Sequence, residues 1–285
     1  MSAASVISTL AMHGDVDRVV SLLARHPATH FAASCRDASG RSPLHYAIAS
    51  AAATQAIAAH SAPALLAAPD CAGLSPLHYA VARGRLDVAR ALLDARAPVN
   101  VAVADADARA PLHLAAAAAH ADMLALLLDA GAAVGVTDAH GATALHYLAA
   151  ADPAAVAESP LLACLALLLE RGAFLDARDE LGETPLHWAA RSASPTAVRL
   201  LLDAGADPGA ISVDLESPLY IAGVAKRSAI LIAGSQGDAE AARAQRCETL
   251  VGDAIQRAVA AKKPMPAPAV GNSSANQTSI TYTFV

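Results

Sequence analysis

Aromatic side chains are scarce: Phe, Trp and Tyr make up 3% of the 285 residues. Basic residues are outnumbered, 20 against 26 acidic, for a net charge of −6. The chain therefore lacks both the stacking rings and the positive surface of a general nucleic-acid binder, and no nucleic acid is expected. Only four cysteines are present, Cys35, Cys71, Cys164 and Cys247, far apart and without a Cys-x-x-Cys pair. Neither a disulfide framework nor a zinc knuckle follows from that spacing, and a reducing compartment, cytosol or nucleus, is the natural setting. Long apolar runs are missing too, despite a hydrophobic content of 55% and a mean hydropathy of +0.39. Alanine supplies most of that excess. The richest stretch, residues 111–119, carries His113 and is followed by His120 and Asp122. Nothing approaches the roughly 20 apolar residues of a spanning helix, so no membrane association is expected. Residues 1–10 hold no Lys or Arg, and Asp15 and Asp17 follow, which argues against a cleaved leader.

What is present is repetition. One tetrapeptide recurs as Ser42-Pro43-Leu44-His45, Ser75-Pro76-Leu77-His78, Ala110-Pro111-Leu112-His113, Thr143-Ala144-Leu145-His146 and Thr184-Pro185-Leu186-His187. A sixth copy, Ser217-Pro218-Leu219-Tyr220, has lost the histidine. The leucines at 44, 77, 112, 145, 186 and 219 are separated by 33, 35, 33, 41 and 33 residues. Ahead of the tetrapeptide stands Asp-x-x-Gly, at Asp37, Asp70, Asp138 and Asp179. Later in each unit comes a leucine run closed by a small turn, such as Leu126-Leu127-Leu128-Asp129-Ala130-Gly131.

Each part has a physical reading. Asp and Gly suit a tight turn, with Gly free to take positive φ. Ser or Thr caps a helix, and Pro fits its first position, where a missing N–H costs nothing. Ser159-Pro160 and Ser194-Pro195 repeat that signal at the start of second helices. The first helix is short and Ala-rich, the second carries the leucines, and Gly ends it in a left-handed cap. One unit cannot close a core, but stacked units can.

These units resemble ankyrin repeats, whose pattern is Asp-x-x-Gly-x-Thr-Pro-Leu-His-x-Ala-Ala followed by a helix ending Leu-Leu-x-x-Gly-Ala. The resemblance runs over residues 37–222, about two thirds of the chain. It implies an all-α solenoid of stacked helix-turn-helix units with short β-turn or hairpin loops. Repeats are expected at about 37–69, 70–104, 105–137, 138–178 and 179–211, with a partial one at 212–235. Residues 1–36 read as an N-terminal capping unit, 226–263 as a C-terminal capping helix region with a helix from Asp238 to Lys263, and 264–285 as a disordered tail.

Several units depart from the pattern. The first lacks the leucine pair in its second half, from Ala51 to His60. The third has Ala108 for Gly and Ala110 for the capping residue, the fourth has Ala144 for Pro, and the sixth has Leu215 for Gly. The spacing of 41 against 33 implies an insert of eight residues near Ala151 to Ser159, between two helices.

The five repeated histidines, one repeat apart, do not converge on one metal ion, and the resemblance makes them structural bridges between a turn and the neighbouring unit. No nucleophile elbow, phosphate loop or dinucleotide fingerprint occurs, so neither an enzyme nor a cofactor is expected. By resemblance, a partner protein is held on the concave face, built from the turn tips and the exposed edge of the first helix. The favoured positions there are Arg41, Leu74, Arg83, Asp107, Arg109, His140, Glu180, Leu181, Glu183 and Arg191, since Arg and exposed Leu anchor interfaces and charges orient them. Tyr46, Tyr79, Tyr147 and Trp188 are expected to pack between repeats. The function implied is an adaptor or scaffold, monomeric by itself, whose partner the sequence does not name. An alternative is a regulatory subunit of an enzyme or transcription complex that docks through its C-terminal helix. The closing Thr283-Phe284-Val285 also has the form of a PDZ-domain ligand.

Overall fold

A computed structural model describes residues 36–59, 61, 63–102, 107–231 and 235–260, with scattered positions between 6 and 22. The expected N-terminal capping unit lies largely, and the expected disordered tail wholly, outside the described residues. Helices follow one another as α1 (Pro43–Ala47), α2 (Ala51–Ala59), α3 (Pro63–Leu66), α4 (Pro76–Ala82), α5 (Leu86–Asp94), α6 (Pro111–Ala117) and α7 (Ala121–Asp129). They continue as α8 (Ala144–Ala149), α9 (Glu158–Glu170), α10 (Pro185–Arg191), α11 (Pro195–Asp203), α12 (Pro218–Leu231) and α13 (Ser235–Ala260). Among the described residues no β-strand forms. The helices pair, and the pairs stack, so that α1, α4, α6, α8, α10 and α12 make one row and α2, α5, α7, α9, α11 and α13 the other.

Alanine explains how closely the first row packs. Ala47, Ala80, Ala115, Ala116, Ala189, Ala190 and Ala222 are all buried, and their small side chains let helix backbones approach. The leucine of each tetrapeptide and the leucines of each second helix fill the gap between rows. Burying one such side chain contributes about 1.5–3 kcal/mol. The first unit solves its missing leucines locally. Its second helix buries Ile57, and the short α3 brings in Leu65 and Leu66.

Two expected helix starts turn out differently. Ser194 caps α11, its side chain accepting from the Ala197 amide at 3.4 Å. Ser159 does not cap α9, which begins earlier, at Glu158, with Ala157 as its N-cap. Residues 151–157, where the insert of the fourth unit falls, form turns held by Asp152, whose side chain accepts from the Ala154 amide.

α13 is far longer than any other helix and runs antiparallel to α12. Lys226 reaches Glu248 at 3.2 Å, and Gly252 lies against Leu219. Ala244, Cys247 and Val251 form its buried stripe at three- and four-residue spacing, while Arg246, Thr249, Asp253 and Arg257 face water. Burial pushes the Cys247 thiol up to about 12, as it pushes Cys164 in α9 up to about 11. Among the described residues no helix is long and apolar enough to cross a membrane.

Candidate functional site: the face of turn tips and first helices

The turns are held by three sets of bonds. Within a turn, one oxygen of the leading aspartate accepts two backbone amides. Asp70 takes those of Ala72 and Leu74 at 2.9 and 3.0 Å, and Asp138 those of His140 and Ala142, both at 2.8 Å. The other oxygen accepts from the aromatic residue nine positions on, Tyr79 at 2.6 Å, Tyr147 at 2.7 Å and the Trp188 indole at 3.0 Å. Tyr46 does the same for Asp37. Burial pushes the Asp37, Asp70 and Asp138 carboxyls upward, but the phenol and amide donors outweigh it and hold all three below their ordinary value.

The histidines tie each turn to its own helix and to the next unit. His45 Nδ1 accepts the Ser42 amide at 3.0 Å, with the Ser42 hydroxyl 2.9 Å away. That acceptance fixes the proton on Nε2, which donates to the Leu74 carbonyl at 3.0 Å. His78 reaches Arg109 O, His146 reaches Glu183 O and His187 reaches Glu216 O in the same way. In the third unit Ala110 has no hydroxyl, yet its amide still meets His113 Nδ1 at 2.9 Å, and the ring reaches Val136 O. The rings also meet the next unit's aromatic side chain: His45–Tyr79 centroids lie 5.6 Å apart and His146–Trp188 5.3 Å. Burial pushes the imidazoles of His45, His113, His146 and His187 below their ordinary value, so they stay neutral.

The third set joins turn to turn. The Cys71 amide donates to Ser39 O, Ala139 to Asp107 O, Glu180 to His140 O and Val213 to Leu181 O, at 2.8–2.9 Å. Glycine permits that approach. At Gly40, with φ +72°, an added Cβ would stand 2.9 Å from the Cys71 nitrogen. The result, at these four junctions, is a bonded backbone ladder along which side chains project.

On this ladder the predicted residues fall into local groups. The Arg41 guanidinium lies 5.1 Å from the Tyr46 ring and 3.5 Å from Asp37. Arg83 lies 5.2 Å over Tyr79. Asp107 gathers Arg109 at 3.2 Å and His140 at 3.7 Å. Leu74 is half-buried, and its backbone rather than its side chain carries the bond from His45. Glu180 and Leu181 stand exposed on the fifth turn.

Glu183 differs from the expectation. It is only 2% exposed, and its carboxylate is clamped by both terminal nitrogens of Arg191. A buried carboxylate needs such a partner, so Glu183 orients Arg191 rather than facing a ligand itself.

Sequence reasoning overlooked the far end of the face. Val213 is 70% exposed, Leu215 80% and Tyr220 52%, beside Leu181 at 54%. The signal was present in the loss of Gly at 215 and of His at 220, and it reads as wear unless its exposure is known. Among the described residues no group of three or more His, Cys, Asp or Glu could hold a metal ion.

Known proteins resemble the chain as follows. A family model for ankyrin repeats in three copies matches residues 7–103 and 154–212, and a model of the single ankyrin repeat matches 107–139. The crystal structure of the human ASB11 ankyrin repeat domain matches with a TM-score of 0.61 at 21% identity, covering 84% of this chain and 96% of that one. No curated protein matches.

Proposed function

Because the chain belongs to the ankyrin-repeat family, we propose that it is a docking module that holds a partner protein on the face of turn tips and first helices. Ankyrin repeats are in general protein–protein interaction modules, and the finer role of adaptor or scaffold is our reading. One observation carries it. Exposed Arg, His, Glu and Leu side chains are presented on a backbone ladder that is bonded turn to turn and so pre-organised. Binding then orders few groups, which lowers the entropic cost of association. Arg41 and Arg83 are stiffened further by the tyrosines beneath them. The face offers recognition groups rather than a nucleophile paired with a base, so binding and not catalysis is the reading we adopt.

Cross-linking mass spectrometry on the complex captured by the full chain tests this. Cross-links should concentrate on the turn tips and on α4, α6, α8 and α10. Cross-links confined to the solvent side of α5, α7, α9 and α11 would refute it. Reversing charge at Arg41, Arg83 and Arg109 together should slow association and flatten or invert its response to salt.

A further inference from the structure

We infer that the C-terminal end of this face takes a short segment of the partner that is apolar and positively charged. The inference rests on the docking reading above and specifies the partner's chemistry. Leu181 and Val213 are neighbours on the ladder, joined by the 2.8 Å bond from the Val213 amide to Leu181 O. Leu215 closes the same turn as Val213. Tyr220 stands where earlier units place the histidine that reaches the next turn, and here, among the described residues, no further turn follows. Single exposed apolar side chains are ordinary, but a contiguous group marks a binding surface.

Leu215 sharpens the point. Its φ is +61°, in the left-handed region where four of the other units use Gly and the third uses the smaller Ala108. A branched side chain there costs about 1–2 kcal/mol, and at 80% exposure it recovers little by packing. Strain kept at an exposed position points to a use in binding.

Charge and backbone select the occupant. Glu180 and Asp214 are exposed beside the apolar group, and Glu216 and Glu240 line an adjoining groove of about 330 Å³ with Ile221, Val224 and Arg191, whose charge is already met by Glu183. Among the described residues none of Glu180, Asp214, Glu216 and Glu240 is ion-paired. Lys or Arg flanking an aliphatic or aromatic anchor is the complement of that pattern. The ladder also ends open. The carbonyl matching Leu181 O in the last turn is that of Asp214, and among the described residues no amide takes it. An extended peptide can donate to it and continue the ladder.

Selection from a random dodecapeptide library displayed on phage, with the full chain as bait, tests the inference. Enriched peptides should combine Lys or Arg with Leu, Phe or Trp. Their affinity should fall at least about tenfold in the Leu181→Ser/Val213→Ser double variant, fall again in Glu180→Lys/Asp214→Lys, and be unchanged in Arg90→Glu, at an exposed position of α5. Acidic enriched peptides, no enrichment, or indifference to the Leu181→Ser/Val213→Ser change would overturn it. Peptides that depend on Arg41 and Arg83 instead overturn this inference while leaving the docking function standing. A dimer that Leu215→Ser converts to monomer assigns the surface to a second copy of the chain. Binding seen only after removal of residues 261–285 assigns it to the chain's own C-terminal segment. Either result also overturns it.

Discussion

At the scale of single residues, backbone conformation separates positions that serve the fold from those that serve its use. Gly40 and Leu215 occupy equivalent turn positions with positive φ. Gly40 has the Cys71 backbone against it, whereas Leu215 ends the ladder. Gly40→Ala therefore meets both a left-handed backbone and a clash, and should lower stability by about 1–3 kcal/mol in denaturant titration. Leu215→Gly should do the reverse, raising the thermal midpoint by relieving about 1 kcal/mol of strain, while weakening selected peptides. A variant that is both less stable and fully competent to bind would contradict this account. His187→Ala removes one ring with contacts to Thr184 and Glu216, leaving the buried Thr184 amide unpaired, while Glu216 O keeps the Ser212 amide. Its cost should be about 1–3 kcal/mol, from one unsatisfied group.

The same comparison shows why some residues were legible and others were not. Proline, histidine and the turn aspartates do one job in every unit, so their period exposes them. Glu183 sits in a slot that Arg41, Leu74 and Arg109 fill in other units, and only the approach of Arg191 across one helix decides that it is buried. Ser159 carried the same cap-then-proline signal as Ser194, yet α9, which follows the insert, begins two residues earlier than that signal implies. Exposure at Val213, Leu215 and Tyr220 depends on the absence of a following turn, which no local pattern records.

At the scale of elements, α13 behaves as part of the array. Its stripe of Ala244, Cys247 and Val251 is spent on α12 and α11. Val251→Asp would place an unpaired carboxylate at a fully buried position. It should cost at least about 3 kcal/mol, and hydrogen exchange should show α12 losing protection before α4 or α6. The reading of α13 as a docking element predicts otherwise: no loss in α12, because a helix held only by a partner would not support the array. The four-residue α3 shows the same economy, since it restores two buried leucines that α2 lacks.

For the whole molecule, the histidines make stability a function of pH. His45, His113, His146 and His187 are neutral in the fold, with values held by burial below the ordinary 6.5. Their contribution is full above that value and is lost progressively as pH falls below it. The turn aspartates Asp37, Asp70 and Asp138 lie below the ordinary 3.8, so their contribution persists until pH falls under about 4. The denaturation midpoint should be flat from about pH 7 to about pH 8.5, decline below about pH 6.5, and decline more steeply under about pH 4. A midpoint that first falls near pH 4 would mean that the histidine bridges do not set the acid response.

A stack of like units has no inherent reason to stop, since each pair offers the oily flank that the next would cover. In this chain the long α13 lies over that flank and turns charged side chains outward. A second copy could stack on that flank only by displacing α13, and that displacement is the cost that head-to-tail growth into a fibre would meet.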